Sequence, residues 1–100
     1  MAKIIWAPSA LSDFAAVLSY IAKDAPVAAK RFGENLIART RQLKINPLSG
    51  GYIAEDENHR YRELIYGNYR IIYRASVDAK VVYVIAVHHA ARLLDPTKLN

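Results

Sequence analysis

One glutamate, two arginines and two histidines follow one another in the C-terminal half of the chain at spacings that could bring them together. Glu63, Arg70 and Arg74 lie within "YRELIYGNYRIIYR", and His88 and His89 end the apolar run "KVVYVIAVHH". An ionised carboxylate can act as a general base, arginines can hold an anion, and histidine can act as a general acid near neutral pH. The same residue types also form ordinary ion pairs, so the elements that position them must be worked out first.

The pair Gly67-Asn68 separates two strand-like runs and predicts a two-residue hairpin turn with a positive φ at Gly67. Such a turn sets Tyr66 opposite Tyr69, and side chains then alternate between two faces of the hairpin. The face that we expect beneath the helices carries Leu64, Tyr66, Tyr69, Ile71 and Tyr73. The face that we expect to be open carries Tyr61, Glu63, Ile65, Arg70, Ile72 and Arg74.

On that open face Glu63 would lie diagonally between the two arginines, within reach of both. One interpretation is an anion-binding or acid/base cluster, and the other is a cross-strand ion pair that fixes the register. The spacing favours the ion pair. Adjacent strand residues point to opposite faces, so at most one of His88 and His89 can join Glu63. Tyrosine interleaved with arginine is also typical of surfaces that stack single-stranded nucleic acid.

The remaining elements follow from periodicity and turn residues. Residues 3–7 predict a strand, and Ser9 a helix cap before a helix over Ala10–Lys23. A second helix starts after a cap at Asp24 or Ala25 and cannot pass Asn46. A loop over 54–59 and strands over 60–66, 69–76 and 80–88 complete the order β-α-α-β-β-β. The fold class is therefore α+β, with a helical hairpin on a mostly antiparallel sheet and a core that includes Leu18, Phe32, Leu36, Tyr69 and Ile71.

Composition narrows the functional classes further. The 100 residues predict one domain over 1–100, with a loosely held tail from about residue 90. The formal charge of +5 favours an acidic partner, either nucleic acid or protein. The lack of cysteine excludes disulfides and thiolate metal sites, and no metal site or cofactor is expected from the histidine spacing. No apolar run is long enough for a membrane span, so we expect a cytoplasmic protein.

Four stretches together resemble the RelE/ParE superfamily of bacterial toxins. They are "SALSDFAAVLSYIAKDAPVAAKRF", "NPLSGG", "YRELIYGNYRIIYR" and "VHHAAR", and the resemblance extends from about Ile5 to Leu94. It implies two packed helices on an antiparallel sheet, as expected above. It also implies a toxin of a type II toxin–antitoxin system, neutralised by an acidic and partly disordered cognate antitoxin. RelE-like members cut messenger RNA on the ribosome, whereas ParE-like members inhibit DNA gyrase.

Residue by residue, the resemblance favours the ParE-like branch. RelE-like nucleases carry lysines where this chain has Tyr61 and Glu63, although Arg70 matches their arginine. A second nuclease pattern uses a glutamate, an arginine and a histidine, which Glu63, Arg70 and His89 could supply. The tyrosine that usually follows that histidine is Ala90 here.

The stretches "REL", "YRIIYR" and "VHHAAR" instead resemble ParE-type and plasmid-stabilisation toxins. We therefore expect a gyrase inhibitor that is not an enzyme. Its residues for contacting the target or an anion are Tyr61, Arg70, Arg74 and Arg92. Two alternatives stay open, a ribosome-dependent endoribonuclease and a toxin-like partner without activity.

Overall fold

The computed structural model describes residues 1–99, and Asn100 lies outside the described residues. The elements are β1 (Lys3–Trp6), α1 (Pro8–Ala22), α2 (Pro26–Arg41), β2 (Gly51–Tyr52), β3 (Arg62–Tyr66), β4 (Tyr69–Ala75) and β5 (Val81–His89), with short 3-10 turns at Gln42–Lys44 and Pro96–Lys98. This order confirms the predicted fold class. It adds the two-residue β2, which the sequence hides within a run of turn-forming residues. Within residues 1–99, no helix is both long and apolar enough to cross a membrane.

The five strands form one sheet in the order β1-β5-β4-β3-β2. Only β1 pairs in parallel, with β5, and the other pairings are antiparallel. The β3–β4 register runs from Tyr66 opposite Tyr69 to Arg62 opposite Tyr73, as the turn predicted. Gly67 has φ 57°, a conformation that costs glycine nothing because it has no side chain. The turn chemistry therefore sets which side chains share each face.

The start of α1 differs from the prediction. The helix begins at Pro8 with Ala7 as N-cap, so the assignment of Ser9 as cap was wrong. Proline fits the first helical position because the N–H that it lacks would have no partner there. Ser9 instead lies in the first turn, where its hydroxyl donates a hydrogen bond to the Ile85 carbonyl at 2.8 Å. The second helix starts at Pro26 after Ala25, as expected.

The main core lies between the helical hairpin and one face of the sheet. Leu36 and Ile71 are fully buried there, together with Tyr73, whose hydroxyl accepts a hydrogen bond from the Gly50 N–H at 2.8 Å. A Cβ at position 50 would lie 2.5 Å from the Glu63 carbonyl oxygen, so this close approach requires glycine. The predicted core residues Leu18, Phe32 and Tyr69 are only half-buried. Phe32 and Tyr69 pack against the edge of this core.

The opposite face of the sheet, predicted to be open, is covered over its centre. A second apolar cluster lies there, made of Ile53, Tyr61, Ile72, Ile85 and Ala86, with Leu94 and Leu99 of the tail packed against it. The buried Asp56 carboxylate accepts hydrogen bonds from the backbone N–H groups of residues 58, 60 and 61, which folds the loop over 53–61 into place. The prediction of an open face was therefore wrong for this region. How loosely the tail is held stays a prediction.

A β-bulge in β5 changes which side its last residues face. Ile72 pairs with Ala86 but Tyr73 pairs with Val84, so Ile85 is the extra residue. Ile85 and Ala86 both belong to the second cluster, whereas Val84 and Val87 both belong to the main core. The alternation along β5 is thus reset, and it directs His89 to the helix side and His88 to the face that carries Arg70.

Burial of the helical hairpin can be tested with one substitution at two positions. Leu36 is fully buried and Leu11 is 54% exposed. Leu36→Ala should lower the free energy of unfolding by about 2–5 kcal/mol, because it leaves a cavity, and Leu11→Ala should change it by under about 0.5 kcal/mol. Urea denaturation followed by circular dichroism measures both. Equal effects at the two positions would contradict this packing.

Candidate functional site

Arg70 on β4 is held by two carboxylates. Its two terminal nitrogens donate to the Oε2 and Oε1 atoms of Glu55, each at 2.7 Å, and its Nε donates to Oε1 of Glu63 at 2.6 Å. The Arg70 side chain is only 11% exposed, against 30% for Glu55 and 23% for Glu63. Every nitrogen of the guanidinium is therefore engaged, and the predicted pair between Glu63 and an arginine is present.

We call Glu55, Glu63 and Arg70 the acidic cluster, and the net charge of these three side chains is negative. Two carboxylates and one guanidinium sum to −1 (−2 + 1) when all are ionised. The hydrogen bonds from Arg70 lower the pKa of Glu55 below its usual 4.5, and the bonds to Glu55 raise the pKa of Arg70. Three of the five N–H groups of Arg70 already donate to carboxylates, and the side chain is mostly buried, so this geometry does not favour anion binding at Arg70.

Glu55 was missed from the sequence, where residues 54–59 predicted only a polar loop. The loop comes back over the sheet because of the Asp56 hydrogen bonds described above. The available signal was its run of acidic residues, "EDE", in a basic chain whose hairpin carries arginines. That signal points to a charge pairing but does not say which acid pairs with which arginine.

The predicted nuclease set of Glu63, Arg70 and His89 is not brought together. His89 lies on the helix side, where its ring meets that of Tyr69 at a centroid distance of 5.1 Å. Its Nδ1 accepts a hydrogen bond from the Ala91 N–H at 3.1 Å. His88 is the histidine opposite Arg70 in the register, and its Nε2 lies 3.1 Å from the Arg92 carbonyl oxygen. The choice of His89 was wrong because the bulge at Ile85 could not be foreseen.

The other predicted contact residues differ in accessibility. Tyr61 is 3% exposed within the second apolar cluster, so its ring cannot meet a partner as expected. Arg74 is half-buried, with its guanidinium carbon 4.3 Å from the centre of the Tyr83 ring. Arg92 is exposed at the start of the tail. Arg74 and Arg92 therefore remain reachable, but they lie on different parts of the surface.

A groove of about 990 Å³ lies on the helix side of the sheet. It runs between α1, the start of α2 and the end of the β3–β4 hairpin, and it is lined in part by Val17, Tyr20, Ile21, Phe32, Tyr69 and Arg92. Its floor is aromatic: Phe32 and Tyr69 line it with their rings 5.5 Å apart, and Tyr66 packs against Phe32 at 5.2 Å. Tyr20 is 71% exposed at its edge. We call this surface the helix-side groove; it suits a partner with an apolar stripe.

No metal-binding chemistry is indicated by the described geometry. Among residues 1–99, no three His, Asp or Glu side chains are arranged to hold a metal ion. The arrangement leaves two candidate contact surfaces, the helix-side groove and the accessible arginines.

The family of the chain is decided by a match that covers most of its length. The profile described as ParE toxin of the type II toxin–antitoxin system, parDE, matches residues 4–94. The chain belongs to the ParE toxin family. This confirms the resemblance to the RelE/ParE superfamily, and it identifies the protein as a toxin of a type II toxin–antitoxin system.

Two solved structures show the same fold in other toxin–antitoxin systems. A chain of the chromosomal ParDE system of P. aeruginosa matches with a TM-score of 0.73 and 15% identity, over 89% of this toxin and 96% of that chain. A chain of the RelBE2 toxin–antitoxin complex of Mycobacterium tuberculosis matches with a TM-score of 0.62 and 19% identity, over 88% and 96%. No curated protein sequence matches the toxin significantly.

The acidic cluster makes stability depend on pH in a defined direction. The pKa of Glu55 is lower in the folded toxin than its usual 4.5, so its stabilising effect is present above pH 4.5 and is lost as the pH falls through the folded-state value. Glu55→Gln should therefore destabilise the toxin at pH 7, and the difference from wild type should shrink toward pH 3. Urea midpoints at both pH values measure this. A difference that grows on acidification would contradict the assignment.

Proposed function

We propose that this ParE-family toxin inhibits DNA gyrase in the cytoplasm and that an acidic cognate antitoxin neutralises it. The observation that carries the choice of gyrase over RNA is the state of Arg70. Cutting a phosphodiester needs a base, a group that holds the developing negative charge and an acid, all close to one phosphate. Here the charge-holding arginine is already bound by Glu55 and Glu63, and His89 lies on the other side of the sheet.

The antitoxin is expected in the helix-side groove. Both structural matches come from toxin–antitoxin systems, and the net charge of +5 favours an acidic partner. The aromatic floor of the groove offers apolar contact area, which charge attraction alone lacks. A disordered antitoxin segment could fold there as an amphipathic helix.

Gyrase binding requires fewer chemical groups on the toxin surface than RNA cleavage does. It needs accessible basic and aromatic groups, and no proton transfer. Arg92 is exposed at the groove edge, close to the exposed Tyr20, and Arg74 is accessible on the opposite face. We assign Arg74 and Arg92 as contacts to the target, and we leave out Tyr61 because it is buried.

One observation favours the ribosome-dependent endoribonuclease as the second candidate. The bulge replaces His89 by His88 on the face of Glu63 and Arg70, so a glutamate, an arginine and a histidine do share that face. For this set to act, Glu63 would have to leave Arg70. The inactive-partner alternative has no structural feature in its favour.

A two-target assay separates these functions. Toxin freed of antitoxin by denaturation and refolding is incubated with gyrase and supercoiled plasmid, and separately with translating ribosomes and messenger RNA. We expect gyrase-dependent loss of supercoiling with broken DNA, and intact messenger RNA. Codon-phased RNA cuts with normal gyrase activity would overturn the proposal. Inhibition of neither target would favour the inactive partner, and toxin refolding is verified by rebinding of the antitoxin.

Glu63 provides a sharper test of the role of the acidic cluster. Arg70 keeps its bidentate partner Glu55 when Glu63 is neutralised, so Glu63→Gln should change the urea midpoint less than Glu55→Gln does. It should also leave growth inhibition intact when the toxin is expressed without antitoxin, because gyrase binding does not need a base. Arg92→Ala should weaken inhibition, and Arg31→Ala, an exposed arginine on α2, serves as its control. Loss of toxicity in a stable Glu63→Gln protein would favour the ribonuclease.

A further inference from the structure

Basic side chains form a row on the second face of the sheet, next to the acidic cluster, with Arg74 diagonal to Glu63. Arg74 pairs with Tyr83 across β4 and β5, and Tyr83 pairs with Ile5 on β1. Lys3 lies two residues before Ile5 and therefore faces the same side. On the other side of Arg74, Tyr61 comes just before Arg62, the last paired residue of β3. The guanidinium carbon of Arg60 lies 5.5 Å from the centre of the Tyr61 ring. We call Lys3, Arg60 and Arg74 the basic row.

Within residues 1–99, no carboxylate forms a salt bridge with the basic row. The ion pairs in this part of the chain are those of Arg70 with Glu55 and Glu63. The carboxylate of Asp78, in the nearby β4–β5 turn, accepts hydrogen bonds from the Ser76 hydroxyl and the Lys80 N–H. Three cations thus share one strip of surface without a salt bridge, with the Asp56 carboxylate acting electrostatically on Arg60, and they attract an anionic partner.

The tyrosines beneath the arginines decide what kind of anion fits. Arg74 covers the Tyr83 ring at 4.3 Å, and Arg60 covers the ring of the buried Tyr61. Stacking of this kind holds each guanidinium in place while its N–H groups stay free to donate. Because Arg74 covers one face of the half-buried Tyr83 ring and Tyr61 is buried, the rings offer little open area for stacking on unpaired bases, which single-strand binding sites use. The surface therefore suits backbone phosphates better than bases.

Most apolar side chains on this face are already covered by other parts of the toxin. Leu94 and Leu99 of the tail pack on the second apolar cluster, whose central residues are buried. A protein partner gains much of its affinity from burying apolar surface in the interface core, and the exposed apolar side chains here are few: Ile5 is 37% exposed on the strip, and Val77 is fully exposed in the β4–β5 turn. A polyanion that needs only charge and hydrogen bonds fits better than an acidic protein.

We propose that the basic row contacts the phosphates of duplex DNA. The proposal rests on the proposed function, because gyrase acts on duplex DNA and a toxin bound to it lies beside that DNA. The contact is independent of sequence and sensitive to salt, since each neutralised phosphate releases counterions. It gives the toxin a second, weak hold on the gyrase–DNA complex through Arg60 and Arg74.

Fluorescence anisotropy tests the proposal without gyrase. Antitoxin-free toxin is titrated onto a labelled duplex of about 20 base pairs over about 50–200 mM salt. The double variant Arg60→Gln/Arg74→Gln should weaken binding at least about tenfold at the lowest salt and reduce the salt slope by about 1.8, or 0.9 for each lost phosphate contact. The control Arg31→Gln/Arg41→Gln changes the net charge equally at exposed positions on α2 and should leave binding near wild type.

Each other result decides against the proposal. An equal loss in the control would mean that only net charge matters. Tighter binding to single-stranded DNA or RNA than to duplex would assign the row to unpaired strands, and equal competition by polyglutamate would assign it to an acidic protein. If Arg60→Gln/Arg74→Gln does not fold, Arg60→Gln alone carries the test, because that side chain is exposed and a weaker affinity is still expected.

Gyrase inhibition by the same variants keeps the two proposals distinguishable. Arg60→Gln alone, which leaves the proposed gyrase contacts Arg74 and Arg92 intact, should need more toxin for half-inhibition. A variant that no longer binds DNA but inhibits gyrase as well as wild type would overturn the role of the DNA contact and leave the gyrase proposal standing. Wild-type toxin that binds DNA through the row but does not inhibit gyrase would overturn the gyrase proposal alone.

Discussion

The backbone of β5 from Ile85 to Val87 is the constraint on which both faces of the sheet depend. The pairing of β5 with β1 ends at Val84, so beyond that residue one edge of β5 has no strand beside it. Buried N–H and C=O groups need partners, and α1 supplies them with side chains. The Ser9 hydroxyl donates to the Ile85 carbonyl at 2.8 Å, and the Asp13 carboxylate accepts from the Val87 N–H at 3.0 Å. The two residues are four apart, hence on one face of the helix, and they anchor α1 across the bulge.

The bulge then determines which histidine faces the acidic cluster. Because Ile85 and Ala86 both face the second cluster, Val87 returns to the main core and the two histidines take opposite sides. His89 joins Tyr69 near the helix-side groove, whereas His88 lies beside Arg70. One additional strand residue therefore determines that His88, rather than His89, faces the acidic cluster, and both histidines line the groove. A mutation that disturbs α1 at Ser9 or Asp13 acts on both surfaces at once.

Much of the fold could be predicted because local chemistry specifies it. The positive φ of Gly67 fixes the hairpin register, and the register places Glu63 and Arg70 on one face. The bulge could not be predicted, since β5 is apolar on both faces and an extra residue leaves its pattern unchanged. Burial of Tyr61 was missed because it depends on Asp56, whose three backbone hydrogen bonds fold the loop, and one aspartate in a polar loop does not reveal them. Of the two partners of Arg70, Glu63 was predicted. Glu55, which binds Arg70 through both carboxylate oxygens, was missed because it lies in that same loop.

The distribution of charge bears on how an antitoxin could neutralise this toxin. The chain carries +5 overall but the acidic cluster carries −1, so much of the excess positive charge lies on α2, the tail and the basic row. An antitoxin held by charge alone would be released by salt, and the aromatic floor of the helix-side groove provides contacts that salt does not screen. An antitoxin in that groove covers Arg92 at its edge but leaves Arg74 exposed on the other side of the sheet. An antitoxin in the groove can therefore neutralise the toxin only if gyrase contacts the groove edge. The basic row then only adds affinity for DNA.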